Sequence, residues 1–352
     1  MFNPQYKLTN KILNMLTAVA ETKSVIERAK ILPKQELRLR RQALIRMTHS
    51  STKIEGNNLN IHQVEAIAEH KKIDAPARDI YEVENYLKAL RYISKVVENK
   101  ETLAEKVVLK THNLVTDRTL PEEQSGHYRQ GPIFVVRRRL GMPDEIIYTG
   151  PEAKEVKELM DNLINWVRES EKQDINPIIV AGIVHLEIAA IHPFADGNGR
   201  TARALATLIL YQRGYDFRHL FALEDYYNKD RNEYYRAVNV GKNWREREQD
   251  ITRWIEYFIK GFKEEIDNVK AQVVSLGHRK VDASVDSQIY LDKDQIKILD
   301  FLETIGRITV KDVMDILECP QRTAQFNLQK LKKIKMIKQV GKGPSSAYII
   351  ER

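Results

Sequence analysis

Helical periodicity dominates this chain. Apolar positions recur at spacings of three and four over residues 8–30, 34–49, 60–70 and 79–97, and again over 101–117 and 152–170, so each stretch is expected to form an amphipathic helix. The run "PIIVAGIVHLEIAAI" within 176–191 is nearly all apolar, which predicts a buried helix. Another helix starts near Asn198 and stops before Gly214, with Arg213 in its last turn and the glycine as C-cap. Residues 230–240 and 248–272 continue the theme. One segment breaks it. Two short β-type runs, Ile133–Val136 and Ile146–Tyr148, flank Gly-Met-Pro-Asp and read as a β-hairpin. The pattern weakens from about Ala271 to Asp292, where a linker is expected. Beyond it, "DKDQIKILDFLETIG" reads as a helix ended by Gly306 and "TVKDVMDIL" as a short second one. A third follows in "CPQRTAQFNLQKLKKIKMI", with Ala324, Leu328 and Leu331 on one face, and "IKQVGKGPSSAYII" alternates and turns like two short strands.

Composition narrows the picture only a little. The 352 residues suffice for two or three domains, and 42% hydrophobic with 30% charged residues is an ordinary globular mixture. The single cysteine, Cys319, excludes internal disulfides and cysteine-based zinc sites and fits the cytoplasm. The opening "MFNPQYKLTNKILNML" is too polar for a signal peptide. No apolar run approaches the roughly 20 residues of a membrane span, so no membrane partner is expected. A net charge of +8 leaves phosphate-bearing ligands and nucleic acid open.

The densest chemistry lies in "AAIHPFADGNGRTARAL", Ala189 to Leu205. Pro193 disfavours helix at His192, so the chain leaves the buried helix there, loops through Phe194–Gly197 and re-enters a helix near Asn198. A helix N-terminus offers free N–H groups and a positive dipole end, which suits an anion. Gly197 and Gly199 allow a phosphate to approach the backbone closely. Arg200 and Arg203 share a helix face beside that terminus, where two cations repel each other unless an anion lies between them. Asp196 is a hard oxygen ligand suited to a Mg²⁺ that also touches phosphate. His192 is a base that can be neutral at physiological pH. Phe194 reads as an apolar anchor for the loop. Each feature alone has a plain structural explanation; the combination within twelve residues points to a polyphosphate cradle with a metal ligand and a general base.

The run His192 to Arg203 resembles the full Fic-family signature, HPFx[D/E]GNGRxxR, at every defined position. The resemblance implies a mainly α fold, a helical bundle with a β-hairpin flap, and transfer of AMP from ATP to a Ser, Thr or Tyr hydroxyl of a target protein. In that scheme His192 accepts the hydroxyl proton and Asp196 holds Mg²⁺ on the α- and β-phosphates. The backbone of Gly197, Asn198 and Gly199, with the Asn198 side chain, forms the anion hole. Arg200 and Arg203 grip the β- and γ-phosphates, and Thr201 and Ala202 complete the expected ATP-binding stretch.

A second run, "HSSTKIEGNNL", places Ser51 four residues before Glu55-Gly56 and resembles the family's inhibitory motif [S/T]xxxE[G/N]. It precedes the core, as in the subclass with an N-terminal inhibitory helix. Glu55 is expected to pair with Arg203 and draw it from the γ-phosphate; the alternative is an ordinary helix end with Glu55 in water. The hairpin resembles the family's flap, which holds a target segment by strand addition, and "SGHYRQGPIFVV" resembles the run leading into it. From the tyrosine-rich stretch Glu224–Val238, Tyr235 is the candidate wall for adenine.

The final sixty residues, three helices and a two-stranded wing, resemble a winged helix-turn-helix. No acidic residue occurs from Cys319 to Ile350, while Arg322, Lys330, Lys332, Lys333, Lys335, Lys338 and Lys342 are basic. Gln321, Thr323, Gln325 and Asn327 lie early on the third helix, where readers of base edges would sit. DNA is therefore a candidate partner, with a protein-binding module as the alternative, and a homodimer is left open. The expected division is 1–100 for an N-terminal helical region with the inhibitory motif, 101–272 for the Fic core, 273–290 for a linker and 291–352 for the winged helix. Competing readings are a DNA-binding regulator with a nucleotide-sensing Fic domain, a Fic-type phosphotransferase, and removal of AMP by the same site. Gly199 argues against phosphotransfer, because Doc-type relatives carry lysine there.

Overall fold

A helix apolar on every face must be surrounded by protein, and Pro177–Ile191 is: all its residues from Ile178 to Ile188 are buried. Asn176 caps its start by accepting from the Ile178 N–H at 2.9 Å, with Pro177 in the first turn. The other elements are laid around this rod. A computed structural model describes residues 2–137, 143, 145–277, 291–341 and 346–351.

In chain order the helices are α1 (Asn10–Arg28), α2 (Pro33–Ile54), α3 (Ile61–Ala68), α4 (Ala77–Glu98) and α5 (Glu105–Thr116). The strands β1 (Phe134–Arg137) and β2 (Glu145–Thr149) follow. Then come α6 (Val156–Lys172), α7 (Pro177–Ile191), α8 (Asn198–Gln212), α9 (Leu223–Lys229), α10 (Arg231–Val238) and α11 (Thr252–Gly277). The chain ends with α12 (Lys293–Ile305), α13 (Val310–Leu317), α14 (Gln321–Lys333), β3 (Ile337–Val340) and β4 (Ala347–Ile350). Among the described residues no helix is long and apolar enough to cross a membrane.

The chain forms two compact units. Residues 1–28 and 43–271 make the first, with no division near residue 100; residues 29–42 and 272–352 make the second. The helix expected to stop near 272 continues to Gly277, and the rest of the expected linker lies outside the described residues.

In the first unit α7 packs on α6 and α8, and α8 packs in turn on α4 and α5. The helix α11 lies along α7, with the Trp254 indole N–H donating to the Gly182 carbonyl at 2.7 Å. The strands β1 and β2 pair antiparallel, with an irregularity between Val135 and Val136. The tip of this hairpin, including most of the expected Gly-Met-Pro-Asp turn, lies outside the described residues. Its base is fastened on two sides. The Tyr148 hydroxyl donates to the Ala190 carbonyl at 2.8 Å, and Thr149 exchanges backbone bonds with Lys242 and Trp244 at 2.9 Å each. Phe134, Val136 and Ile146 leave apolar side chains exposed on the hairpin.

In the second unit α12, α13 and α14 enclose a core of Ile298, Leu302, Val313, Leu328, Leu331 and Ile337, which Leu37 joins. Gly306 ends α12 in the left-handed conformation, as its position in the sequence requires. The strands β3 and β4 pair antiparallel, and Ile308 bridges to Tyr348 beside them.

Candidate active site

The helix α7 ends where His192 turns left-handed, at φ 50° and ψ 58°, a conformation uncommon for a residue with a side chain. Bonds on both sides hold it. Its N–H donates to the Ile188 carbonyl at 3.0 Å, and its own carbonyl accepts from Arg129 Nε at 2.8 Å. The ring is half-buried, and Nδ1 lies 3.1 Å from the Ala189 carbonyl. That contact places the proton on Nδ1 and leaves the lone pair on Nε2. Burial lowers the imidazole pKa below 6.5, against the opposing pull of the Ala189 bond and the Glu55 carboxylate. His192 is therefore neutral at pH 7, with Nε2 ready to accept a proton.

The loop after it is fixed by its own side chains. Phe194 is fully buried and stacks on His112, with ring centroids 3.7 Å apart and planes within 3°. Covering a phenylalanine in this way contributes about 2–3 kcal/mol. His112 Nδ1 accepts from the Gly126 N–H at 2.9 Å, so its Nε2–H donates to the Asp196 carbonyl at 3.0 Å. Only the neutral ring makes both bonds, and burial lowers its pKa to about 4. The Asn198 side chain accepts from the Phe194 N–H and donates to the Phe194 carbonyl, both at 2.9 Å. In this conformation, then, it closes the loop and does not project from it, which differs from its expected place in an anion hole.

Gly197 caps α8 at φ 74°, where a Cβ would also press on Thr116 Cγ2 at 2.7 Å. Thr201 N–H bonds the Gly197 carbonyl at 3.0 Å, and the N–H groups of Asn198, Gly199 and Arg200 have no carbonyl four residues back within the helix. The side chains of Thr201 and Ala202 are fully buried and face the core.

The charged groups gather at this terminus. Asp196 Oδ1 accepts from the Gly197 N–H at 2.6 Å, while Oδ2 faces Arg78 at 3.2 Å and Arg200 at 3.8 Å. Arg200 is buried, with NH1 3.6 Å from Glu82, and neither its Nε nor its NH1 has a hydrogen-bond partner among the described residues. Arg203, also buried, donates from Nε to Ser51 Oγ at 2.8 Å. Its NH2 donates to the Ser51 carbonyl at 2.9 Å and to Glu55 Oε1 at 2.7 Å. Burial works against the Arg203 charge, but Glu55 leads the groups that raise its pKa overall. A Cβ on Gly199 would collide with the same Glu55 oxygen, so that carboxylate lies directly over the first turn of α8.

Glu55 thus combines both expectations: it follows the end of α2 and is one-third exposed, yet it is paired with Arg203. Tyr235 is half-exposed, and its hydroxyl donates to the Ile54 carbonyl at 2.8 Å, so in this structure it fastens the last turn of α2. Beneath Arg203, Tyr86 donates to the buried Glu224 at 2.9 Å, and burial pushes the Glu224 carboxyl up to about 7.

Four residues that shape the site carried no role in the sequence reading: Arg78, Glu82, His112 and Arg129. Arg129 lay within the quoted run leading into the flap. Its guanidinium ties that run to the site by donating to the carbonyls of His192, Gly131 and Pro151 at 2.8, 2.7 and 2.6 Å. Among the described residues no cluster of three His, Cys, Asp or Glu could hold a metal unaided.

Known proteins resemble this chain in sequence and in fold. Residues 102–210 match the model of the Fic/DOC family. The chain is 26% identical over 253 residues to the protein adenylyltransferase Fic of Nematostella vectensis, covering 70% of this chain and 54% of that one. It is 29% identical over 183 residues to the protein adenylyltransferase fic-1 of Caenorhabditis elegans, covering 51% and 34%. The chain spans about half or less of the length of these curated relatives. Among solved structures, a Fic family protein from Desulfovibrio desulfuricans superposes with a TM-score of 0.64 at 25% identity, covering 99% of this chain and 98% of that one. Fic-1 of C. elegans superposes at 0.59 and 21% identity, covering 75% and 72%. The chain carries, over residues 102–210, a domain of the Fic/DOC family.

Proposed function

We propose that this protein transfers AMP from ATP to a hydroxyl of a Ser, Thr or Tyr side chain, on a target protein and on itself, and that Glu55 holds it inactive. The observation that carries this reading is the Glu55 carboxylate, 2.7 Å from Arg203 above Gly199 at the start of α8. A carboxylate is held there by Arg203, beside a helix terminus that suits a phosphate. The names of the relatives, protein adenylyltransferases, support the same activity.

In the active form the triphosphate takes the place of the Glu55 carboxylate, against the N–H groups of Asn198 and Gly199 and between Arg200 and Arg203. The target hydroxyl oxygen attacks the α-phosphorus while its proton passes to His192 Nε2. The bond from the α-phosphorus to the bridging oxygen breaks, and pyrophosphate leaves. Positioning and charge stabilisation provide the catalysis. Asp196 is the residue that would hold Mg²⁺. A single half-exposed carboxylate suits an ion that takes its other ligands from phosphate and water, and the ion would supply positive charge to the phosphates. The exposed apolar side chains of β1 and β2 suit a flap that holds an extended target segment.

A charge-assisted contact of about 1.5–3 kcal/mol suppresses nucleotide binding roughly 10- to 150-fold. Incubating wild type, Glu55→Gly and His192→Ala with Mg²⁺ and α-labelled ATP tests the scheme. Glu55→Gly gains label by that factor and His192→Ala takes up none; equal labelling of all three sinks the reading. The mass added separates AMP from phosphate, and a neutral, well-held His192 favours an enzyme over a nucleotide sensor. Release of AMP from modified protein would reveal the reverse reaction at the same site. The single, unpaired Cys319 supports a cytoplasmic location, and a concentration-dependent mass would establish a homodimer.

For the second unit we propose that the winged helix binds duplex DNA. Gln321, Arg322, Thr323, Gln325, Lys330, Lys332 and Lys333 are exposed on α14, with Lys335 and Lys338 exposed beyond it. Phe326 is 55% exposed beneath the Lys330 ammonium, apolar surface that suits a thymine methyl. Asn327 drops out of the reading set: it is buried, and its side chain meets Gln295 at 3.5 Å. Anisotropy of a labelled duplex should fall with salt, and Lys330→Ala with Lys333→Ala should reduce the slope of log K against log salt by about 2. No binding at low salt would favour a protein-binding module.

A further inference from the structure

The turn that carries Glu55 reaches the second arginine as well, through a side chain on α4. Glu82 is buried, and its two oxygens face different partners. Oε1 is 3.3 Å from Arg78 Nε and 3.6 Å from Arg200 NH1. Oε2 accepts from Asn57 Nδ2 at 3.0 Å. Asn57, itself buried, comes directly after Glu55-Gly56. Its amide also donates to the Asp79 carbonyl at 3.0 Å and accepts from the Leu59 N–H at 3.1 Å.

We propose that Glu82 is a positioning residue for Arg200, and that Asn57 makes its position depend on the inhibitory turn. This rests on the nucleotide reading above. Arg200 is buried with its charge offset by Glu82, yet Nε and NH1 donate no hydrogen bond among the described residues. Buried guanidinium donors left open in this way are costly, and an incoming anion satisfies them. Glu82 keeps the cation against α4 before that anion arrives without saturating it. The same carboxylate is held from the other side by Asn57, so a shift of the turn moves the partner of Arg200 together with Glu55. One turn therefore governs both arginines, Arg203 through Glu55 and Arg200 through Asn57 and Glu82.

The full chain serves for the test, with Glu55→Gly as the uninhibited background and calorimetric titration with Mg²⁺ and either ATP or AMP. Glu82→Gln keeps the size and one acceptor but removes the charge. In the Glu55→Gly background it weakens ATP binding roughly tenfold. AMP, which has no β- or γ-phosphate, binds unchanged, and a general structural defect would not make that distinction. With Glu55 present, Asn57→Ala tightens ATP binding about fivefold or more, while in Glu55→Gly it changes it less than about twofold, the non-additivity expected of coupled sites. Equal weakening of AMP and ATP by Glu82→Gln, or an unchanged ATP affinity, overturns the proposal. So does an equal effect of Asn57→Ala in both backgrounds. If Glu55→Gly itself binds no ATP, the nucleotide reading falls and takes this coupling with it.

Discussion

Arg129 donates to the carbonyl of His192 at 2.8 Å, so a residue before the flap sets the backbone of the proposed base. Its backbone N–H also donates to the Pro193 carbonyl at 2.9 Å, which binds the two segments twice. Replacing Arg129 by methionine leaves the carbonyls of His192, Gly131 and Pro151 without their donor. The expected loss is about 2–4 kcal/mol of stability, read by denaturant unfolding. In the Glu55→Gly background kcat should fall more than KM rises, because the base is misplaced while the phosphate cradle is intact. Lysine at this position keeps the charge, lacks the fork and restores little.

The pH dependence of labelling follows from His192. Burial lowers its pKa from 6.5, and in the proposed scheme the neutral form is the base. Activity of Glu55→Gly should therefore be level from pH 7 down to about 6.5 and fall only below it, in a kcat/KM profile. A fall centred above pH 7 would contradict this assignment.

His112 makes stability pH-dependent in the same direction. The folded ring has a pKa of about 4, while the unfolded ring titrates near 6.5. Between these values the unfolded chain binds the extra proton. Its contribution is thus fully present above pH 6.5 and is lost as the pH falls towards 4, by an amount of order 3 kcal/mol. Unfolding free energies measured at pH 7, 5.5 and 4 should show the decline, and His112→Gln should flatten part of it. His185 and His192, whose pKa values are also lowered by burial, supply slope of the same sign.

Under the proposed scheme, Gly199 separates release of Glu55 from access for the nucleotide. A methyl group there meets Glu55 Oε1 and lies 3.1 Å from Arg203 NH1. Gly199→Ala should loosen the Glu55 contact, yet it should not activate, because the same methyl fills the approach to the helix terminus. Titration of Gly199→Ala/Glu55→Gly with ATP and Mg²⁺ should show affinity at least roughly tenfold below Glu55→Gly. Alanine favours the helix, so the melting temperature should not fall.

Much of this arrangement is legible along the chain because it is local. The end of α7 at Pro193, the apolar anchoring of Phe194 and the two arginines on one face of α8 all follow from one contiguous run. Glu55 is legible through its motif and the arginine it needs. What the sequence hides are single polar residues on otherwise ordinary amphipathic helices. His112 reads as one more position of α5, and its partner Asp196 is 84 positions away. Glu82 looks like a surface acid on α4 until Asn57 and Arg200 are seen against it. The α9 helix is too short, at 7 residues, for periodicity to reveal. Tyr235 was legible as an aromatic near the site, but the direction of its hydroxyl depends on α2, from a distant part of the chain.

Glu55 and Arg203 belong to one molecule, 148 positions apart. The proposed restraint would be unimolecular, so dilution would not relieve it and its strength would be an effective concentration set by how firmly α2 is moored. Tyr235 at Ile54 and Glu82 at Asn57 are among the moorings. In that scheme nucleotide would compete with a carboxylate that never diffuses away. Any partner that tugs on residues 51–57 would thus govern turnover from outside the pocket, without resembling ATP.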